Sequence, residues 1–326
     1  MERIIKLPGL FLICVSLFAC EKKELPVPAY DRGDVITTQV EMTTNYKNQI
    51  WFSLDENRVV SSNFKTAWDL GFEASATGFH VIMNNSKAMR LYKTTHTDLS
   101  QVTDTIGLGV HQTCDSPGGS LDSTAVGDWV SNNTVYVVNR GYNELAQHQG
   151  YYKFKVISVD AGQYTIEYAD IYGPGGTHTG TIMKDGNYNF IAYSFTTHAQ
   201  ANIEPVKTDF DLCFTQYTHI FYDPFQYYSV TGALSNSYNT RVMSISDKPF
   251  GDITISDTVG RTFSNRWDKI GYDWKVYDIA TNVYTVDLAK CYIINDNKGF
   301  FYKLHFIDFY NASGVKGYPK FEYKKI

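Results

Sequence analysis

The 326-residue chain contains no unbroken apolar run of the roughly 20 residues that a membrane-crossing helix needs. It also lacks a basic field: Asp and Glu number 34 against 29 Lys and Arg, a net charge of −5. That excludes the electrostatic grip by which proteins hold nucleic acid, and no stretch resembles an RNA- or DNA-binding motif. Cysteine is scarce, at five residues. Cys14 and Cys20 fall in an N-terminal leader, and the odd remainder, Cys114, Cys213 and Cys291, argues against a disulfide framework. Cys213 and Cys291 sit in strand-like apolar runs, where a buried free thiol is the expectation. No Cys-x-x-Cys pair exists, which argues against a thiolate metal site.

Catalytic signatures are missing as well. The chain has no nucleophile elbow, P-loop, dinucleotide fingerprint or His-Glu-x-x-His. Gly173-Pro174-Gly175-Gly176 precedes no helix that could bind phosphate, and Asp296-Asn297-Lys298-Gly299 lacks the spaced carboxylates of a calcium loop. An enzyme is not expected. Long amphipathic helices are absent too, with only Gly141–Gln149 expected to make a turn or two.

What the chain does contain begins with a leader. Arg3 and Lys6 precede a short apolar core, Leu7 to Ala19, that ends in Leu17-Phe18-Ala19-Cys20. This reads as a lipoprotein signal peptide over 1–19, with cleavage before Cys20 and a diacylglycerol on its thiol. Residues 20–45, charged and carrying Pro26 and Pro28, read as a tether.

Aromatic residues make up 15% of the chain, with 25 Tyr and 20 Phe, and they repeat. FKTAWDLGFE at 64–73 is echoed by VKTDFDLCF at 206–214, VYVVN at 135–139 by CYIIN at 291–295, and YYKFKV at 151–156 by FYKLHF at 301–306. The matches keep their order, which suggests an internal duplication into halves at 46–200 and 201–326. Each anchor alternates large apolar groups with polar ones, as in Phe210, Leu212 and Phe214, the period of a strand with one buried face. Turn residues separate the runs, and VISVDAGQYTIEYADI reads as a hairpin. The expected class is all-β, mainly antiparallel. Asp69 and Asp211 fall between core residues, where a turn amide or a nearby lysine is expected to pair them.

The second half resembles a known family. Phe-Asp-Leu-x-Phe, then Thr-Gln-Tyr, then Tyr228-Ser229-Val230-Thr231-Gly232, and the closing GYDWKVY, KCYIINDNKGFFYKLHFIDFY and KGYPKFEYKK, are similar to the HmuY family, most closely over 206–326. That resemblance implies an all-β, lipid-anchored protein of the outer membrane of a Gram-negative, Bacteroidetes-type bacterium. It implies haem, or another tetrapyrrole, as ligand and an outer-membrane transporter as a possible partner. The family's namesake holds haem iron with two histidines, and here the chain departs from the pattern. No histidine lies between His219 and His305. The first expected ligand region, Tyr238–Met243, offers Met243, and the second, Tyr277–Ile279, offers Tyr277 and Asp278. In the equivalent window of the first half stand His80, His96 and His111. The candidate iron ligands are therefore His96, His111 and Met243.

Two functions of different classes follow. One is a surface lipoprotein that binds haem for uptake. The other keeps the β scaffold without haem and uses exposed Tyr and Trp for protein or glycan contacts. The resemblance and the leader favour the first.

Overall fold

A computed structural model describes residues 33–326. The expected signal peptide, Cys20 and the first part of the tether lie outside these described residues. Within 20–45, Ile36–Gln39 already form a strand, because Ile36 and Thr38 alternate with exposed neighbours along the sheet edge.

Among the described residues there are twenty strands, and every ladder among them is antiparallel. They are β1 (Ile36–Gln39), β2 (Asn48–Ser53), β3 (Arg58–Phe64), β4 (Leu70–Glu73), β5 (Val81–Met83), β6 (Arg90–Lys93), β7 (Tyr136–Asn139), β8 (Tyr151–Val159), β9 (Gln163–Asp170) and β10 (His178–Met183). Then come β11 (Phe190–Ser194), β12 (Ala199–Ala201), β13 (Leu212–Tyr222), β14 (Phe225–Ser235), β15 (Arg241–Ile245), β16 (Lys275–Asp278), β17 (Val283–Val286), β18 (Cys291–Asn295), β19 (Phe301–Tyr310) and β20 (Lys316–Lys325). Among the described residues the α-helical content is one turn, α1 (Trp129–Asn132). One local expectation fails. Gly141–Gln149 is an irregular loop closed by a bridge between Tyr142 and His148.

The sheets come in two pairs of the same design. One pair has the orders β10-β9-β8-β7-β6 and β12-β11-β4-β5, the other β1-β20-β19-β18-β15 and β3-β2-β13-β14. Replacing β4 to β12 by β13, β14, β15, β18, β19, β20, β1, β2 and β3 in turn converts the first pair into the second. Strands β1 to β3, at the start of the chain, thus complete the sheets of the second half. Each pair encloses its own aromatic core. Phe72, Phe154, Tyr168 and Phe195 are fully buried in one, and Phe52, Trp274, Phe306 and Tyr323 in the other. Trp274 stacks on Phe306 with ring centres 3.8 Å apart. Rings of this size bury 150–250 Å² each, so Phe306→Ala costs about 3–5 kcal/mol.

The repeated phrase marks matching positions in this design. Asn84 Nδ2 donates to the carbonyls of Lys65 and Trp68, and Asn236 Nδ2 donates to those of Lys207 and Phe210. Asp69 accepts from the amide of Phe195 and Asp211 from that of Leu54, each at 2.8 Å. Their surroundings then diverge. Lys87 and Arg140 both bind Asp69. Arg140 follows the Tyr-Val-Val-Asn strand, and the residue that follows Tyr-Ile-Ile-Asn in the second half is Asp296, also buried.

Candidate ligand-binding site

The β13–β14 ribbon is longer than the sheet it starts from. Its ladder runs from Leu212↔Ser235 to Tyr222↔Phe225, while β2 covers only Leu212 to Phe214 on its free edge. The outer part projects as two strands, and both faces carry rings because both find apolar neighbours. On one face Ile220 and Tyr227 pack against the core of the first half, the Tyr227 hydroxyl donates to the Gln112 carbonyl, and Arg90 lies 4.3 Å from the Tyr227 ring centre. The opposite face, with Tyr217, His219, Phe221 and Tyr228, looks toward Tyr272 and the β16–β17 hairpin. That hairpin is inserted between β15 and β18 and has no counterpart in the first half.

Between ribbon and hairpin lies a cleft of about 330 Å³. Six rings line it: Tyr46, Phe221, Tyr228, Tyr272, Tyr277 and Tyr284. Tyr277 and Tyr284 face each other across the hairpin at 4.8 Å. Phe221 lies 6.0 Å from Tyr228 and 4.8 Å from His219, whose ring is in turn 5.0 Å from Tyr272. His219 Nδ1 is buried without a hydrogen-bond partner, and burial lowers the pKa of the ring, leaving it neutral. One cation borders the cleft. Lys275, 6% exposed, donates to the Thr231 carbonyl and lies over Trp274 and Phe309 at 4.3 and 4.7 Å. Burial pushes its ammonium down to about 7.

The candidates chosen from sequence lie elsewhere. His96 and His111 are exposed on the loops joining β6 to β7. Met243 is 3% exposed on β15, opposite Ile293 and packed with Ile245, Ile253 and Cys291. None of the three lines the cleft, and no contact joins them. His80 is bound to Glu73 at 2.5 Å, and His305 to Glu322 at 3.1 Å. Tyr277, noted from sequence only for the histidine it lacks, is a wall of the cleft. Tyr228, Tyr272 and Lys275 entered only as parts of family phrases, and none of these or of Phe221 and Tyr284 was chosen as a ligand-site residue. The signal for them was the run Tyr217 to Tyr228, apolar on both faces, which no half-buried strand requires. The corresponding region of the first half lacks the cluster of rings: Phe79 and His80 line it with Leu121, Val130, Asp128 and Lys184.

Haem requires apolar cover for the ring, a donor for the iron and a cation for the propionates. Cover and cation are both present in the cleft. Its donors are oxygens: the Asp273 carboxylate and the phenols, as in Tyr277, whose hydroxyl donates to Asn282 Oδ1 at 2.8 Å, and Tyr228, which is 52% exposed. The residues therefore fit haem with oxygen ligation or none, and do not fit a bis-histidine site. Cys213 and Cys291 are buried free thiols, as expected, and so is Cys114. No helix among the described residues is long and apolar enough to cross a membrane.

Comparisons with known proteins follow the same line. No curated protein matches the chain significantly. Among solved structures, the apo HmuY analog of Tannerella forsythia is 11% identical, with 90% of this chain and 98% of that one covered and a TM-score of 0.26. Apo PinO from Porphyromonas gingivitis is 9% identical, with the same coverages and TM-score. Scores so low add nothing to the argument, which rests on the sequence pattern of the family. The family model described as HmuY protein matches residues 45–323, and the chain belongs to the HmuY family.

Proposed function

We propose that this protein is a non-enzymatic carrier that binds haem, or a closely related tetrapyrrole, in the cleft between the β13–β14 ribbon and the β16–β17 hairpin. The observation that carries the reading is the convergence of six rings from separate parts of the chain on one cleft, with the buried Lys275 beside it. Bound haem would supply a redox-active iron. The chain's own residues cover the ring faces with Phe221, Tyr228 and Tyr272 and offer phenol oxygens from Tyr228 and Tyr277. Lys275 gains its proton as pH falls through about 7, so a carboxylate-bearing ligand binds more tightly below that pH. In this reading Cys20 carries the lipid, the chain is held at the outer membrane, and the ligand passes to a transporter there. An internal duplication accounts for the matching sheet orders of the halves.

One observation favours a protein partner as well. Tyr222, Phe225 and Ile279, at the tips of ribbon and hairpin, are 76%, 62% and 82% exposed.

Ferric haemin titrated into the chain from Asp34 onward tests the proposal by visible spectroscopy. Saturable binding of one haem is expected, weakened in the Phe221→Ala, Tyr228→Ala double variant and kept in His96→Ala, His111→Ala and Met243→Leu. A broad band like that of free haemin, or loss of binding in one of the last three, overturns it.

A further inference from the structure

We propose a second ligand site, separate from the aromatic cleft: a cavity of about 130 Å³ where the two halves meet, built to take a single-ring aromatic molecule carrying an oxygen acceptor, of which phenol is the simplest probe. Trp68, Ile82 and Ala192 wall it from the first half, and Phe210 and Leu234 from the second. An engineered apolar cavity of about 150 Å³ takes up benzene, so this one admits one ring and excludes a tetrapyrrole.

The space exists because small residues stand where the two central sheets oppose. Gly71 and Ala192, neighbours across the β4–β11 ladder, both face it. Trp267 also lines it, clamped by the loop Pro117-Gly118-Gly119 of the first half. The Trp267 amide donates to the Gly118 carbonyl at 3.1 Å, and a Cβ on Gly119, at φ +72°, would come within 2.0 Å of the indole. Only glycine lets that loop lie flat on the ring.

One carboxyl lines the cavity, that of Glu204, and no Lys or Arg does. Glu204 Oε1 accepts from the amide nitrogen of Asn189 at 3.2 Å and from its side-chain nitrogen. The carboxyl is surrounded by protein, yet the side chain keeps accessible area, as a group facing an internal space must. Desolvation, outweighing the hydrogen bonds from Asn189 and Phe190 and the charge of Lys207, pushes it up to about 8, so it is mainly protonated at neutral pH. In its protonated form Glu204 is a hydrogen-bond donor lining an otherwise mainly apolar space. A ring with an oxygen acceptor satisfies it, and a bare hydrocarbon does not.

Isothermal titration of the chain from Asp34 onward with phenol and with toluene tests the site. Phenol is expected to bind saturably, one per chain, and more tightly than toluene. Ala192→Leu fills the space and weakens both by about tenfold or more. Glu204→Leu removes the preference for phenol while toluene still binds. Should Ala192→Leu not fold, Leu234→Phe fills the space from the other wall. No saturable phenol binding to the wild-type chain overturns the proposal, as does binding unchanged by the filling variant. Repeating the titration at saturating haemin leaves phenol binding intact, so the two sites fail or stand independently.

Discussion

Arg140 forks onto Asp69, its Nε 2.9 Å from Oδ1 and its Nη2 3.0 Å from Oδ2. Lys87 binds the same buried carboxylate. Burial alone would raise the Asp69 pKa, but Lys87 and Arg140 carry it below the usual carboxylate value. Asp69 therefore adds stability that is complete at neutral pH and is lost as pH falls below the ordinary carboxylate range. Arg140→Met leaves part of the charge uncompensated in the core. The expected cost is about 3–5 kcal/mol, read as a lower urea midpoint at pH 7.

Asp211 behaves in the opposite sense. Burial, then the neighbouring Asp296 and Asp55, push it up to about 7 against two opposing contributions, the hydrogen bond from the Leu54 amide and the charge of Lys298. The folded chain then binds more protons than the unfolded one between about pH 4 and pH 7. Stability from this group is present at the acid end of that window and declines as pH rises through it. Asp211→Asn is expected to flatten the decline and raise stability at pH 8, by at most about 4 kcal/mol. Urea midpoints of both proteins at pH 5 and pH 8 check this. A wild-type midpoint that rises over the same range contradicts the sign.

The aromatic cleft is predicted to separate binding from folding. Phe221 and Tyr228 are 37% and 52% exposed on a projecting ribbon, so removing both rings changes the melting temperature little. Haemin affinity is expected to fall by roughly ten- to a hundred-fold, the loss of about 1.4–2.8 kcal/mol of stacking and burial. Tyr277→Phe keeps the ring and removes only the hydroxyl. A changed ferric spectrum in that variant, with affinity retained, identifies its oxygen as the iron donor.

The thiols should be inert in the native chain. Cys114, Cys213 and Cys291 are buried, and burial raises all three, Cys114 to about 12 and Cys291 to about 11. Since the thiolate is the reacting form, a disulfide reagent is expected to modify none of them in the folded chain from Asp34 onward and all three in denaturant.

Alternation made the strands legible. Leu212 and Phe214, chosen as inward from the period of two, are fully buried, and the expected hairpin is β8–β9. The pairing of Asp69 was legible in kind, since a buried carboxylate needs a partner. The identity of Arg140, 71 positions away, was not. Met243 was chosen for its chemistry, a sulfur donor at the expected place, and it lies in a packed layer because its strand pairs with β18. His96 and His111 were chosen for being polar and on loops, and loop position does not say what a side chain faces.

Local pattern alone decided that this polypeptide forms twisted antiparallel ribbons with tyrosine- and phenylalanine-rich cores, because strand period and turn chemistry act between near neighbours. It also carried the family, through phrases that recur where the backbone must bond in the same way. Only the tertiary structure decided that β1 to β3 close the sheets of the distant half, that the β13–β14 ribbon outruns its sheet, and that Tyr46 meets Tyr277 and Tyr284 across one cleft. Such meetings are set by how whole sheets stack and by which strand edges are left uncovered, quantities that no stretch of neighbouring residues contains.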